Sequence, residues 1–246
     1  VYKRQVAYRT TLEFESPITG GIPASYLKLK GKIAKNLKDA NVIPLLIAQN
    51  IDVDGTIKTL TELNWIEIEP AIEDYEKLAE KVGINKREFV ENLTVFRRDD
   101  QGIFIRSYNV KAMIKEAFTK IEGNKWRDVI NHCTTVKPPK IRFTRDPEGK
   151  EIIRVPNGIG TKMIHIVGAK GPRSAKLYYE YIEPPCYLTF DVYIVKNSRN
   201  KPVVDPDMLK ATLNKAGVFE GLGASRPEGF GRFKVIRFEE IENEEG

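Results

Sequence analysis

The sequence predicts an α+β fold, and this prediction rests on three observations. Short segments rich in β-branched and aromatic residues alternate in polarity, as strands do. Other segments repeat apolar residues at helical spacing. The two kinds follow one another as strand and helix, an insertion, helix, hairpin, helix and strand, which is not the regular alternation of an α/β protein. With 41% hydrophobic and 30% charged residues over 246 positions, the chain can bury a sizeable core and is not a disordered polymer.

The N-terminal third holds one clear strand and several helical segments. Residues 6–14 alternate apolar and polar side chains and predict the first strand, and 24–40 carry apolar residues at helical spacing. Residues 41–69 stay ambiguous between strands and loop. A proline in the first helical turn opens a predicted helix over 70–81, and a short helix is expected over 86–93.

The middle of the chain predicts a turn, a strand and two helices, over 99–102, 103–105, 110–121 and 124–132. Asn109 and Asn124 are the residues expected to cap the two helices, because a side-chain oxygen at that position can accept a free backbone N–H. The C-terminal half predicts a hairpin around the turn 146–149, a flexible basic segment, two more strands, a helix and a last strand. The hairpin strands span 140–143 and 151–155, and the flexible basic segment spans 156–175. The two further strands span 176–182 and 187–195, the helix 206–216 and the last strand 233–238.

The charge of the chain is unevenly distributed. The formal net charge is +6, but residues 97–176 alone carry +10, while 58–91 carry −4 and the last eight residues hold five glutamates. A long basic stretch that also contains aromatic residues indicates a surface for phosphate groups. Acidic and basic surfaces on one chain also favour head-to-tail contact between copies.

Composition excludes several classes of protein. No stretch approaches the roughly 18 uninterrupted apolar residues of a membrane span, and no secretory leader is evident. The two cysteines, Cys133 and Cys186, are too few for a disulfide framework. Together with the two histidines they make a poor set of metal ligands. We therefore expect a reducing, cytoplasmic setting, with no membrane partner, no cofactor and no metal.

Residues 217–233 form the most informative motif, with five glycines between 217 and 231 and two arginines among them. The glycines allow sharp turns and close backbone approach. The loop follows a helix and precedes a strand, which is the reverse of a dinucleotide-binding loop, and it lacks the Gly-Lys-Ser/Thr of a Walker motif. Residues 226–233 resemble the third-strand motif of an RNA recognition motif, but too little chain follows for another helix and strand.

The glycine loop resembles that of the repeat-associated mysterious protein superfamily, whose ferredoxin-like members build CRISPR ribonucleoproteins and carry such a loop between the last helix and the last strand. The segment 104–118 is similar to a strand, turn and helix of that family, with Arg106-Ser107-Tyr108 where members usually have Pro-Gly-Ser. The strand pair around Glu183-Pro184-Pro185 is similar to the family's central hairpin. The three likenesses cover about half of the chain and are closest to backbone subunits.

The resemblance implies one ferredoxin-like, RRM-like domain over 6–238 with large insertions and a glycine-rich loop before the last strand. The expected parts are a mainly helical insertion over 41–95, a basic, thumb-like β-hairpin over 137–176 and an acidic tail over 239–246. It further implies a protein that assembles along guide RNA in a CRISPR-type antiviral ribonucleoprotein, with copies of itself and other effector subunits as partners. Single-stranded DNA stays open as the alternative ligand.

The residues expected to bind nucleic acid are basic side chains of the middle third together with the glycine loop. They are Arg97, Arg98, Arg106, Lys111, Lys140, Arg142, Arg145, Lys170, Arg173, Gly221, Gly223, Arg226, Gly229, Phe230, Gly231 and Arg232. Such binding would depend on phosphate charge and stacking and would be independent of base sequence.

Catalysis is the less favoured reading. His132 and His165 lie beside or within apolar segments, where structural histidines are common. The carboxylates that a target-cleaving subunit could use, Asp52, Asp54, Asp99 and Asp100, sit in ordinary turn sequences. The alternatives that remain are an endoribonuclease of the same superfamily, a phage-type single-stranded DNA-binding protein, and a protein-interaction module with incidental basic charge.

Overall fold

The computed structural model describes residues 5–23, 79–80, 85, 89, 92–168 and 171–242. The chain divides into two compact units. Unit 1 comprises residues 1–20, 101–158 and 181–246, and unit 2 comprises residues 21–100 and 159–180. The predicted helices over 24–40, 70–81 and 86–93 and the segment 41–69 lie almost wholly outside the described residues; residues 79, 80 and 89 are helical. The predicted helix over 86–93 extends too far, because residue 92 is in a turn and Leu93 begins a strand.

The elements confirm the predicted α+β class. The strands are β1 (Gln5–Phe14), β2 (Ile18–Thr19), β3 (Ile22–Pro23), β4 (Leu93–Val95), β5 (Arg97–Asp99), β6 (Gly102–Arg106), β7 (Thr134–Lys137), β8 (Lys140–Thr144), β9 (Gly158–Gly168), β10 (Gly171–Ile182), β11 (Tyr187–Val195) and β12 (Phe233–Ile241). The α-helices are α1 (Ser107–Ile121), α2 (Lys125–Cys133) and α3 (Pro206–Phe219), and a short 3₁₀ helix spans Arg226–Glu228.

Unit 1 is built on an antiparallel sheet with the strand order β12-β1-β11-β8-β6, in which β7 also pairs with β11. Side chains alternate along β1 and β11. On one face Leu188, Phe190, Val192 and Ile194 are buried, whereas the opposite face carries polar pairs such as Arg9 Nε to Asp191 Oδ1 at 2.9 Å. The strict alternation over 187–195 is why this strand was predictable.

The helices bury one face each. Val110, Met113, Ile114, Ala117 and Phe118 are the buried residues of α1, which packs against α2 and α3, and α3 packs against β12. The main elements of unit 1 run β1, β6, α1, α2, β7, β8, β11, α3 and β12, and β7 and β8 each pair with β11. If β7 and β8 are taken as one interrupted strand, this is a strand-helix-strand-strand-helix-strand order with β6 and α2 added.

The helix boundaries correct two predictions. Helix α3 begins at Pro206 as predicted, and Asp205 Oδ1 accepts from the backbone N–H groups of Asp207 and Met208. Asn109 does not cap α1, because the helix already begins at Ser107, whose N–H donates to Pro139 O at 3.0 Å. Asn124 precedes α2 but its side chain accepts no capping hydrogen bond, since its own backbone is already helical.

The predicted turn over 146–149 joins two antiparallel segments, but the segment after it differs from the prediction. Strand β8 pairs with β6 and β11, and residues 151–153 are held to its end by the Thr144–Ile152 bridge and by hydrogen bonds from Arg145 N–H to Glu151 O and from Ile153 N–H to Phe143 O, both at 2.8 Å. Residues 158–168 and 171–175, predicted as flexible, belong instead to the long paired strands β9 and β10. The glycines there misled the prediction: a Cβ at Gly160 would lie 2.6 Å from the ring of Tyr179, so the glycine makes room for a cross-strand tyrosine.

The last strand is longer than the predicted 233–238. Strand β12 continues to Ile241, because Glu239 and Glu240 still pair in register with Arg9 and Tyr8 of β1. The first three residues of the predicted acidic tail are therefore part of the sheet.

Unit 2 has its own core around β4. This strand pairs in parallel with β10 and antiparallel with β3, and Phe89 packs on Tyr178 with ring centroids 4.7 Å apart. Glu180 is buried beside this core. Its carboxylate accepts the backbone N–H of Phe96 at 2.9 Å and pairs with the guanidinium of Arg98.

Replacing Glu180 with Gln should destabilise the protein by about 3 kcal/mol, because the Arg98 charge would remain buried opposite a neutral amide. Asp191→Asn is the matched control: the Arg9 side chain of that pair is 44% exposed, so the loss should stay below about 1 kcal/mol. Urea unfolding followed by circular dichroism measures both. Equal losses would show that burial of the Glu180 pair is energetically unimportant.

Candidate nucleic-acid interface

The glycine loop closes unit 1 between α3 and β12. Its two ends meet through the backbone, with Leu222 N–H donating to Gly231 O at 2.9 Å. Gly231 has φ +69°, and a Cβ placed there would lie 1.8 Å from Leu222 O. Only glycine fits at this position, for reasons of both conformation and space.

Side chains near the end of β1 hold the loop in place. Ser16 Oγ donates to Gly229 O and accepts from Arg232 N–H, both at 2.8 Å. Gly231 N–H donates to Pro17 O at 2.9 Å, and Thr19 Oγ1 donates to Ala224 O at 2.9 Å. Several backbone groups of the loop are therefore engaged within the fold, and its shape is set before any ligand arrives.

An ion-pair network joins the loop to α1. Arg226 Nη1 lies 2.8 Å from Glu116 Oε2, and Lys120 Nζ lies 3.0 Å from Glu116 Oε1 and 2.7 Å from Glu220 Oε2. Partial burial raises the pKa of the Glu116 carboxyl, but the hydrogen bonds from Arg226 and Lys120 outweigh it and hold the pKa below its ordinary value. Arg226, expected to hold phosphate, thus has a carboxylate partner and orients the loop.

The side chain of Arg232 contacts the backbone of Arg226. Its Nη2 donates to Arg226 O at 3.4 Å, and its Nη1 is buried without a hydrogen-bond partner among the described residues. Gly229, Phe230 and Arg232 are all half-buried. Gly229 N–H donates to Arg226 O at 3.0 Å and its carbonyl accepts from Ser16, but nothing lies within 4 Å of the place that a Cβ would take. The loop therefore leaves open space beside the Cα of Gly229 and holds its arginines close to the protein.

Two segments that contain no acidic residues meet beside the start of α1. Residues 101–115 and 134–145 contain seven Lys and Arg and no Asp or Glu. The fold brings the two segments together, because β6 pairs with β8 in the register Arg106 with Lys140 and Phe104 with Arg142. We name residues 101–115 and 134–145 the basic surface. Its members are far closer in space than in sequence.

The predicted residues of the basic surface have different surroundings. Lys140 Nζ and Arg142 Cζ lie 4.8 and 5.2 Å from the ring centroid of buried Phe104, and Arg142 also donates to Gly102 O and Gln101 Oε1. Arg106 is half-buried at the end of β6. Their alkyl stems and planar groups cover the strand pair, so each has a packing role as well as a charge.

Arg145 and Lys111 hydrogen-bond only to neutral oxygens within the described part of the chain. Arg145 donates to Glu183 O, Pro185 O and Asn157 Oδ1 at 2.7–2.8 Å, which fixes the turn before β11. Lys111 Nζ donates to Asn131 O at 2.8 Å, joining α1 to α2. Partial burial, followed by the charge of Lys115, lowers the pKa of Lys111. No carboxylate cancels either charge there.

The remaining predicted residues lie outside these two segments. Arg97 and Arg98 belong to unit 2, where Arg98 pairs with buried Glu180. Lys170 and the side chain of Arg173 lie outside the described residues, although β10 includes the backbone of residue 173. Gly221 and Gly223 shape the loop, with φ +73° and +94°.

Sequence reasoning missed three residues of this region. Ser16 and Glu116 hold the glycine loop, and nothing in their local sequence distinguishes them from other surface residues. Tyr108, in the first turn of α1, is 53% exposed. Its position among basic residues was the available signal, but it lay in a segment assigned to the turn before the helix.

Two observations on the described residues bear on catalysis. Burial raises the pKa of the Cys186 thiol to about 12, against the opposing charge of Arg145, so the Cys186 thiol is protonated at neutral pH. Across residues 5–23, 92–164 and 174–242, no group of three or more His, Cys, Asp or Glu side chains is placed to hold a metal ion. Asp52 and Asp54 lie outside the described residues. None of the helices described here is both long and apolar enough to cross a membrane.

Several solved structures are similar to this chain. The chain is similar to a chain of the "Cryo-EM structure of the Type III-B Cmr-beta bound to cognate target RNA", with a TM-score of 0.46 and 11% identity. The match covers 98% of this chain and 62% of that chain, so this chain spans about three fifths of the other's length. No family model and no curated protein matches.

Gly231→Ala should destabilise the protein by about 3 kcal/mol, since a Cβ would add a backbone clash to an unfavourable φ. Gly229→Ala is the matched control, because its φ of +88° is equally unfavourable but nothing lies within 4 Å of the added Cβ. A loss of about 1–2 kcal/mol is expected there. Urea denaturation compares the two, and similar losses would refute the close approach of Gly231 to Leu222.

The Glu116 network predicts a pH dependence. A carboxyl with a lowered pKa in the folded state stabilises the protein above the unfolded pKa of about 4.3, and this contribution disappears as the pH falls through the folded pKa. Glu116→Gln should therefore lower Tm at pH 7 and lose this deficit relative to wild type below about pH 4. Glu122→Gln, on a glutamate without an ion pair in the described chain, serves as control. A deficit that persists unchanged at low pH would contradict the assignment.

Proposed function

We propose that this protein binds RNA, or another single-stranded nucleic acid, through phosphate groups at the basic surface beside the glycine loop. The observation that carries the proposal is the meeting of two segments with seven basic and no acidic residues at the start of α1. Excess positive charge concentrated where two distant segments meet is the usual footprint of a polyanion site.

The side chains on α1 suit a flexible strand. Lys111 and Lys115 lie four residues apart on the helix, and Lys115 forms no ion pair in the described chain. Glu116, which anchors the glycine loop, lies about 8 Å further along the helix axis than Lys111. A strand lying along α1 would therefore pass from the two lysines toward the loop, where Gly229 allows close backbone approach.

The paired strands β9 and β10 carry basic side chains of their own. Residues 152–179 contain five Lys and Arg and no acidic residue. Strand β9 has 11 residues, which corresponds to a length of about 36 Å. A basic arm of that length could follow several nucleotides, the role that the resemblance implies for a thumb-like hairpin over 137–176.

The biological setting follows from the glycine-loop resemblance and forms the second part of the proposal. The chain would be a subunit of a cytoplasmic, CRISPR-type ribonucleoprotein, with a ferredoxin-like domain over 6–238 whose insertions include 41–95 and the hairpin. Binding would be independent of base sequence, and copies of the chain would line the RNA as a backbone. The order of strands and helices in unit 1 supports the ferredoxin-like assignment.

A salt titration tests phosphate binding. Fluorescence anisotropy with a labelled 20-nucleotide RNA should show that the logarithm of the association constant falls linearly with the logarithm of salt concentration. The double variant Lys111→Ala/Lys115→Ala should reduce that slope by about 1.4, which is roughly 0.7 for each lost contact on a single strand. Lys210→Ala/Lys215→Ala, two exposed lysines on α3, is the control and should keep the wild-type slope.

Three outcomes would count against the proposal. A wild-type slope near zero would exclude phosphate binding, and equal slopes for both double variants would move the contact away from α1. Shortening of the labelled RNA, examined on a denaturing gel after each titration, would favour the endoribonuclease alternative. The same titration with a DNA strand of equal length decides between the two ligands.

A further inference from the structure

One aromatic side chain at the start of α1 has no role in the fold. Tyr108 is 53% exposed, and it makes no hydrogen bond, ion pair or ring contact within the described part of the chain. Other tyrosines of unit 1 are engaged: Tyr8 stacks on Phe238, Tyr187 donates to Glu13, and Lys137 lies over Tyr193. An aromatic ring that the fold leaves in solvent is available for a ligand.

The charges around Tyr108 indicate which ligand. The helix rule places Tyr108 on the same side of α1 as Lys111 and Lys115, at positions i, i+3 and i+7. Residues 101–115 contain no acidic residue, and α1 has none in its first turn. A ligand that meets this strip must offer a flat apolar face together with negative charge, as a nucleotide does.

We propose that Tyr108 stacks on a nucleobase whose neighbouring phosphates contact Lys111 and Lys115. The inference rests on the proposed function and adds to it a contact to the base. Stacking on an aromatic ring tolerates any base, so it agrees with binding that ignores sequence. The tyrosine hydroxyl is not required, because the ring supplies the contact.

Two labelled nucleic-acid strands, one with bases and one without, distinguish base stacking from phosphate contact. Anisotropy is measured with a labelled uridine 20-mer and with an abasic strand of equal length, which keeps the phosphates but has no bases. Tyr108→Ala should weaken binding of the uridine strand about fivefold or more and leave the abasic strand unchanged. Tyr108→Phe should bind both strands as wild type does. Because Tyr108 is exposed, Tm should be the same for all three proteins.

Phe219→Ala is the matched control. Phe219 is a 71% exposed aromatic at the end of α3, beside the Lys120–Glu220 pair and outside the basic surface. Its removal should leave both affinities unchanged. A 5-iodouridine strand, crosslinked by light and mapped by mass spectrometry, should mark Tyr108 in the wild-type protein and not Phe219.

Each other result refutes either the stacking proposal or the proposed function. If Tyr108→Ala binds the uridine strand as tightly as wild type, stacking is refuted while phosphate binding stands. Equal weakening on both strands, or equal weakening by Phe219→Ala, also refutes it. If the wild-type protein binds neither strand, the proposed function itself fails.

Discussion

The close approach of Gly231 to Leu222 is the constraint on which the glycine loop of unit 1 and its contacts to β1 and α1 depend. A glycine with positive φ brings the start of β12 against the end of α3, and Leu222 N–H and Gly231 O join the two. This closure positions Arg226 opposite Glu116 and lets Ser16 hold the loop from β1. Strand, loop and helix are thereby joined at one place, and the loop is rigid enough to be part of a binding surface.

The basic side chains differ in the partners that the fold gives them. Arg98, Arg142, Arg145 and Arg226 each make structural contacts, to a carboxylate, to carbonyl oxygens or to an aromatic ring. Lys111 also makes a structural contact, to Asn131 O, but no carboxylate cancels its charge or that of Lys115 in the described chain. Arginine suits positions with several acceptors because its planar, branched donors reach several oxygens at once, whereas a lysine ammonium is a compact charge on a flexible stem.

Much of the fold could be predicted because its patterns are local. The alternation in β1 and β11 and the proline that begins α3 each depend on a few neighbouring residues, and those elements appear where expected. The start of α1, strand β9 and residues 171–175 of β10 were mispredicted, whereas 176–182 of β10 was predicted as a strand. Ser107 N–H donates to Pro139 O, and Gly160, which looks flexible in sequence, lies in a strand beside the ring of Tyr179. Both contacts are made by residues distant along the chain.

The sequence by itself determined the α+β class, the excess of positive charge in the middle third and the glycine-rich loop before the last strand, since composition and short-range periodicity suffice for these. Only the tertiary structure decided which charges gather. Pairing of β6 with β8 joins residues 101–115 to 134–145, and the Arg226–Glu116 pair ties the loop to the same helix. Long-range pairing depends on complementary surfaces that form only when the chain folds, so neither Tyr108 nor Glu116 could be recognised from its neighbours.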